Sequence, residues 1–242
     1  MKILLFCLPY AGGSATIYHK WEPFLDSKIE LRPLELAGRG KRIQHPMYEE
    51  RSDAVDDMFN LIKDDVSEHP YIIMGHSLGA LITYELVQKI RKHDLPTPLH
   101  VFFSGSSAPH LKDRDKKYHT LGESEFKREV INLGGTPPEF FDHLELVEIF
   151  MPLLKNDFRL AETNLPGSKL NPLDIDITVF LGDDDDLTIE QCEGWSLHSN
   201  KNCSFHYFKG GHFFLHEHIE KIVDIINSTA IKQFYFEPDS KL

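Results

Sequence analysis

Between Pro70 and Leu81 the chain reads PYIIMGHSLGAL, and few folds can accommodate that order of residues. Tyr71, Ile72, Ile73 and Met74 form a short apolar run of the kind expected for a strand covered on both faces. The run stops at Gly75, and the residues from Ala80 to Lys89 read as a helix. Between them, Gly75-His76-Ser77-Leu78-Gly79 matches G-x-S-x-G, a sharp strand-to-helix turn that lifts the serine above the end of a sheet. Glycines two before and two after the serine have a mechanical reason, since a Cβ at either place would collide with the neighbouring strand or helix. Ser77 is the candidate nucleophile, and His76 reads as a packing or hydrogen-bonding neighbour.

Other apolar runs fit around this one. Lys2–Leu8, Leu99–Gly105, Ile175–Leu181 and Cys203–Phe208 read as strands, and Ile29–Leu36 as a strand that Pro33 confines to an edge or a bulge. Helices are expected over Ser14–Leu25, Ser52–Glu68 with Ser52 as N-cap, and Phe213–Ile226. Strands alternating with helices at this rhythm imply an α/β fold with a parallel sheet. The rhythm breaks from Ser106 to about Asn171, where only helices are expected, over Glu123–Leu133 and Pro138–Leu154. An insertion above the carboxyl ends of the strands, a lid, is the economical reading. The tail from Lys232 carries no clear pattern. A length of 242 residues suits one domain with one insertion.

Serine is a weak nucleophile until a base takes its proton, and the base needs an acid to fix its tautomer. On this architecture the three follow in the order Ser, Asp or Glu, His, each on a loop after a strand. Gly182 is followed by four aspartates, 183 to 186, after one predicted strand. His212 follows Gly210-Gly211 after the next. Placement three residues past Gly182 favours Asp185 as the acid, with Asp183, Asp184 and Asp186 as alternatives. The oxyanion of a tetrahedral intermediate needs donors, expected from the backbone N–H of Leu78 and from that of Tyr10 or Ala11 in the Gly-rich loop after the first strand.

Composition excludes several other classes. A net charge of −12 argues against nucleic-acid or anionic-membrane binding. No apolar run approaches the roughly 18 residues needed to span a bilayer, and the N-terminal run is too short and too interrupted by Pro9 and Gly12-Gly13 for a signal peptide. Three cysteines, none spaced as a pair, fit a reducing cytoplasm. His212, His216 and His218 lack an H-E-x-x-H pattern or a cysteine pair, so no metal site is expected. The loop Ala37-Gly-Arg-Gly-Lys-Arg lacks phosphate-loop spacing.

Taken together, LPYAGGS, ELAGRGKR, GHSLGA, LGGTP, FMPLLKNDFRLAETN, GDDDD, EGW at 193 to 195 and KGGHFFL run in order over nearly the whole chain. In these blocks the sequence resembles the stand-alone type II thioesterases that accompany nonribosomal peptide and polyketide synthases, within the α/β-hydrolase superfamily. The resemblance implies hydrolysis of acyl thioesters on the phosphopantetheine arm of carrier domains, with no cofactor of its own, clearing misprimed or stalled groups. By that likeness Ser77, Asp185 and His212 form the triad, Tyr10 and Leu78 supply the oxyanion N–H groups, and the insertion gates the acyl group. Asp186 departs from the pattern, standing where a proline commonly follows the acid. The other enzyme reading is an acyl-CoA thioesterase or small-molecule esterase with the same triad, and a non-catalytic binding protein is a third. A carrier substrate predicts a docking surface beside the lid, with Lys112, Arg114, Lys116 and Lys117 as candidates, on what is expected to be a monomer.

Overall fold

The computed structural model describes residues 1–111, 117–136, 138–163 and 170–236. Its centre is a sheet of six strands: β1 (Ile3–Leu8), β2 (Ile29–Pro33), β3 (Tyr71–His76), β4 (His100–Ser104), β5 (Ile177–Gly182) and β6 (Cys203–Phe208). They lie in the order β2-β1-β3-β4-β5-β6, and every neighbouring pair is parallel. Pro33 ends β2 on the edge, where its missing N–H costs no ladder hydrogen bond.

The central strands are buried throughout and mostly apolar because both faces are covered. Along β1, Leu4, Phe6 and Leu8 join a core with α1 (Arg51–Glu68) and α2 (Leu78–Lys92). Ile3, Leu5 and Cys7 point the other way, into a core with the short helix Ala15–Phe24 and with α6 (Ile219–Phe236). Strand order reverses between β1 and β3, and in open α/β sheets ligands bind at the carboxyl ends beside such a switch.

Four helical expectations need correction. The N-cap of α1 is Glu50, whose backbone N–H donates to the Asp53 carboxylate at 2.8 Å, and Ser52 lies inside the helix. Residues 15 to 24 form the tighter 3-10 helix, capped by Ser14. Within the insertion, α3 (Glu123–Asn132) stands as expected, but Pro138–Leu154 does not form one helix. A short 3-10 turn, Pro138–Asp142, precedes α4 (Leu144–Glu162), which continues eight residues past Leu154 because Asp157 and Leu160 are buried. The closing helix starts later and runs further: after a turn at Phe214–His216, α6 reaches Phe236, with Ala230 buried and Ile231 and Phe234 packed on the core. A short helix the sequence did not announce, α5 (Ile189–Glu193), follows β5.

The insertion carries its own small core of Phe126, Val130, Phe141, Met151 and Leu154. Its last helix is built into the body: Arg159 donates to the Tyr48 carbonyl at 3.0 Å, and Arg51 to the carbonyls of Leu160 and Thr163 at 2.6 and 3.0 Å. All three cysteines are free.

Candidate active site

Ser77 sits between β3 and α2 with φ 54° and ψ −113°, a left-handed conformation that a side chain adopts only under constraint. The constraint is visible on both sides. A Cβ on Gly75 would fall 2.2 Å from the carbonyl oxygen of Gly79, and one on Gly79 would fall 2.3 Å from that of Leu8. The first turn of α2 therefore presses directly on the end of β1. Ser77 N–H donates to Ser104 O at 2.8 Å, which ties the turn to β4 as well. The N–H of Leu78 opens α2, among the first-turn donors that have no partner within the helix.

The loops after β5 and β6 meet without side chains between them. A Cβ on Gly182 would lie 2.5 Å from the carbonyl oxygens of both Gly210 and Gly211. Two of the four aspartates are engaged in that junction: Asp183 accepts from Gly210 N–H at 2.8 Å, and Asp184 N–H donates to Gly210 O at 3.0 Å. Asp185 is the one whose carboxylate reaches His212, with Oδ2 3.0 Å from Nδ1. An ionised carboxylate only accepts, so Nδ1 carries the proton and Nε2 is left with its lone pair. The Asp185 side chain is only 8% exposed, which keeps water from competing for that bond. No hydrogen bond joins His212 to Ser77 in this structure, and such contacts are often long before substrate arrives.

His76 is fully buried beneath this pair. Its Nδ1 is 2.8 Å from Ser104 Oγ, and its ring centre lies 5.1 Å from that of His212, with the two planes tilted by 56°. Burial, reinforced by the neighbouring His212 and His216, holds its pKa well below the usual imidazole range, so the ring stays neutral. Tyr10 is pinned from its far end, with its hydroxyl 2.9 Å from His216 Nε2 and its ring edge-on to His76 and Phe213. His218 is engaged elsewhere, on the carbonyl of Lys209 at 2.8 Å. Among the described residues no group of three His, Cys, Asp or Glu side chains could hold a metal ion.

Ser77, Asp185, His212 and the loop Tyr10–Ser14 line one cavity of about 600 Å³. Its outer wall is apolar and comes from the insertion: Val130 on α3 and Leu133 at its end, Phe140 from the turn before α4, and Phe150, Leu154 and Phe158 from α4. The structure thus brings together Ser77, Asp185, His212, Tyr10 and Leu78. Of the basic residues considered for docking, Lys112, Arg114 and Lys116 lie outside the described residues, and Lys117 is exposed. Sequence reasoning missed Arg39 and Asp157, which pair behind the Tyr10–Gly13 loop. The available signal was a charged residue interrupting the apolar period of α4.

Comparisons with known proteins agree on one family. The sequence model described as Thioesterase domain matches residues 4–230. A Brevibacillus parabrevis protein named linear gramicidin dehydrogenase LgrE is 34% identical, over 94% of this chain and 88% of its own. The crystal structure of ClbQ from the colibactin NRPS/PKS pathway is 38% identical with a TM-score of 0.90, covering 97% of this chain and 99% of that one. The type II thioesterase BorB from the borrelidin biosynthetic cluster is 29% identical with a TM-score of 0.85, covering 95% and 93%.

Proposed function

The chain belongs to the thioesterase domain family, and from that premise we propose that it hydrolyses acyl thioesters held on the phosphopantetheine arm of carrier domains of a nonribosomal peptide or polyketide synthase. Ser77 Oγ attacks the thioester carbonyl while His212 Nε2 takes its proton. The tetrahedral oxyanion is met by the N–H groups of Tyr10 and Leu78, and its collapse expels the pantetheine thiolate, which recovers the proton from His212. Water, deprotonated by the same ring, then attacks the acyl-Ser77 ester; collapse of the second tetrahedral intermediate expels Ser77 Oγ, which recovers the proton from His212, and the carboxylic acid leaves. Asp185 holds the ring in the tautomer that accepts at Nε2 and steadies the imidazolium between the two proton transfers.

The observation that carries this reading is the Asp185–His212 bond beside a constrained Ser77, all on one apolar-walled cavity. The wall supports an acyl chamber, and its place in the insertion supports a single domain with a lid. Within that lid, α4 is fastened to the body through Arg51 and Arg159. One solved relative comes from an NRPS/PKS pathway and another is a type II thioesterase from a biosynthetic cluster, which supports a carrier-borne substrate. The dehydrogenase in the name of the gramicidin relative finds no footing in the glycine pattern here. Gly38 and Gly40 are followed by Ile43 where the dinucleotide fingerprint needs its third glycine.

Ser77→Ala should lower kcat on an acyl thioester by about 10⁶-fold, to near background, since triad members act as a unit. Rapid-quench mass spectrometry of the wild type should show one acyl group on the peptide containing Ser77. Turnover that survives the substitution would remove Ser77 from the mechanism.

A further inference from the structure

The triad does not account for a full negative charge placed out of reach of water behind it. Asp157, on α4, has no exposed surface, and the Arg39 side chain is 5% exposed. The two form a bidentate pair, Nη1 to Oδ2 at 2.6 Å and Nη2 to Oδ1 at 2.8 Å. Both also hold the loop after β1. Asp157 Oδ2 accepts from Gly12 N–H at 2.7 Å, and Arg39 Nη1 donates to Gly13 O at 3.2 Å. Gly13 N–H closes the turn onto Tyr10 O at 2.9 Å. These bonds occupy the N–H groups of Gly12 and Gly13 and the carbonyls of Tyr10 and Gly13, and among the described residues no hydrogen bond takes the N–H groups of Tyr10 and Ala11.

The grip is close. Gly12 has φ 75°, and a Cβ there would fall 2.7 Å from Leu154 and 3.0 Å from Phe150 of α4. A buried ion pair is often no more stabilising than an apolar pair of similar volume, because desolvating two charges cancels much of their attraction. Its geometry is what an apolar pair could not supply.

We propose that Arg39 and Asp157 are positioning residues: through Gly12 and Gly13 they set the N–H of Tyr10 where the oxyanion develops. They also make α4, which walls the acyl chamber with Phe150, Leu154 and Phe158, part of the catalytic geometry. This rests on the thioesterase mechanism above and concerns how its oxyanion donor is aimed.

The test compares two double variants in which no buried charge is left alone. Arg39→Met/Asp157→Leu releases the loop, and Arg39→Met/Asp157→Asn restores an oxygen for Gly12 N–H. The first should fold yet lose about 10²-fold in kcat, the scale of one lost oxyanion donor, with KM within about threefold of wild type. A boronic acid that forms a tetrahedral adduct on Ser77 should lose affinity by the same factor, while the product carboxylic acid should not. The second variant should recover about tenfold of the lost kcat. If the first double variant does not fold, Asp157→Asn alone should still lower kcat about tenfold at unchanged KM. A folded Leu variant with kcat within about threefold of wild type, identical kcat in the Leu and Asn variants, or equal losses for boronate and product would overturn the proposal. Turnover indifferent to Ser77→Ala would instead overturn the mechanism beneath it.

Discussion

At the scale of single residues, Ser77 and His212 were legible because glycines fix their surroundings, whereas spacing past Gly182 favoured Asp185 as the acid without separating it from its three neighbours. Four consecutive aspartates offer identical chemistry, and only the contact of Gly182 with Gly210 and Gly211 separates them. That contact sets Asp183 and Asp184 against the backbone of the other loop, so Asp185 is the first side chain clear of it. The departure at Asp186 has a consequence of its own. Its N–H donates to Asp185 Oδ1 at 2.9 Å, a bond proline could not make, and this orients the carboxylate so that Oδ2 faces His212. Single Asn substitutions should therefore differ sharply. Asp185→Asn should lower kcat by about 10⁴-fold by favouring the wrong tautomer, and the other three by less than about fivefold. Four comparable, mild losses in steady-state assays would place the acid elsewhere.

Among the elements, strands were read within a few residues because the inner four, β1, β3, β4 and β5, are buried on both faces and leave largely apolar runs. Helices were harder wherever a buried polar residue hides the period. Asp157 broke the pattern of α4, yet it faces Arg39 and not solvent. Polar contacts between elements also carry a pH dependence. His100 of β4 is 2.8 Å from Thr178 Oγ1 of β5, and His198 lies between His110 and Tyr84 of α2 at 2.8 and 2.9 Å. Burial lowers both pKa values to about 4, with His110 adding to the effect at His198. The unfolded imidazoles titrate near 6.5, so between about pH 6.5 and 4 the unfolded chain binds protons that the folded one does not. Stability is complete above that window and is lost as pH falls through it, by roughly 2 kcal/mol per histidine at pH 5. The urea midpoint should drop between about pH 7 and pH 5, and His100→Gln should reduce the drop. A midpoint independent of pH would contradict this.

For the whole molecule, chain order alone predicted that successive βα units would deliver Ser77, the acid and His212 to one sheet edge. The place of the reversal in strand order was not legible, because it depends on which side of β1 each later strand adds. Nor was the division of the insertion into a helix fastened to the body and a segment in front of it. The fastening comes from Arg39 paired with Asp157, Arg51 on the carbonyls of Leu160 and Thr163, and Arg159 on that of Tyr48, each across more than a hundred residues of sequence. Substrate class is a property of this scale, since thioester and ester chemistry pass through similar tetrahedral intermediates at Ser77. Only the partner that delivers the acyl group distinguishes a synthase-associated thioesterase from one acting on free acyl-CoA. The most direct test is kcat/KM for one acyl group presented on a carrier domain and on coenzyme A, with Ser77→Ala as control. The account predicts a clear preference for the carrier and no turnover of either substrate by the variant; equal kcat/KM on the two would contradict it.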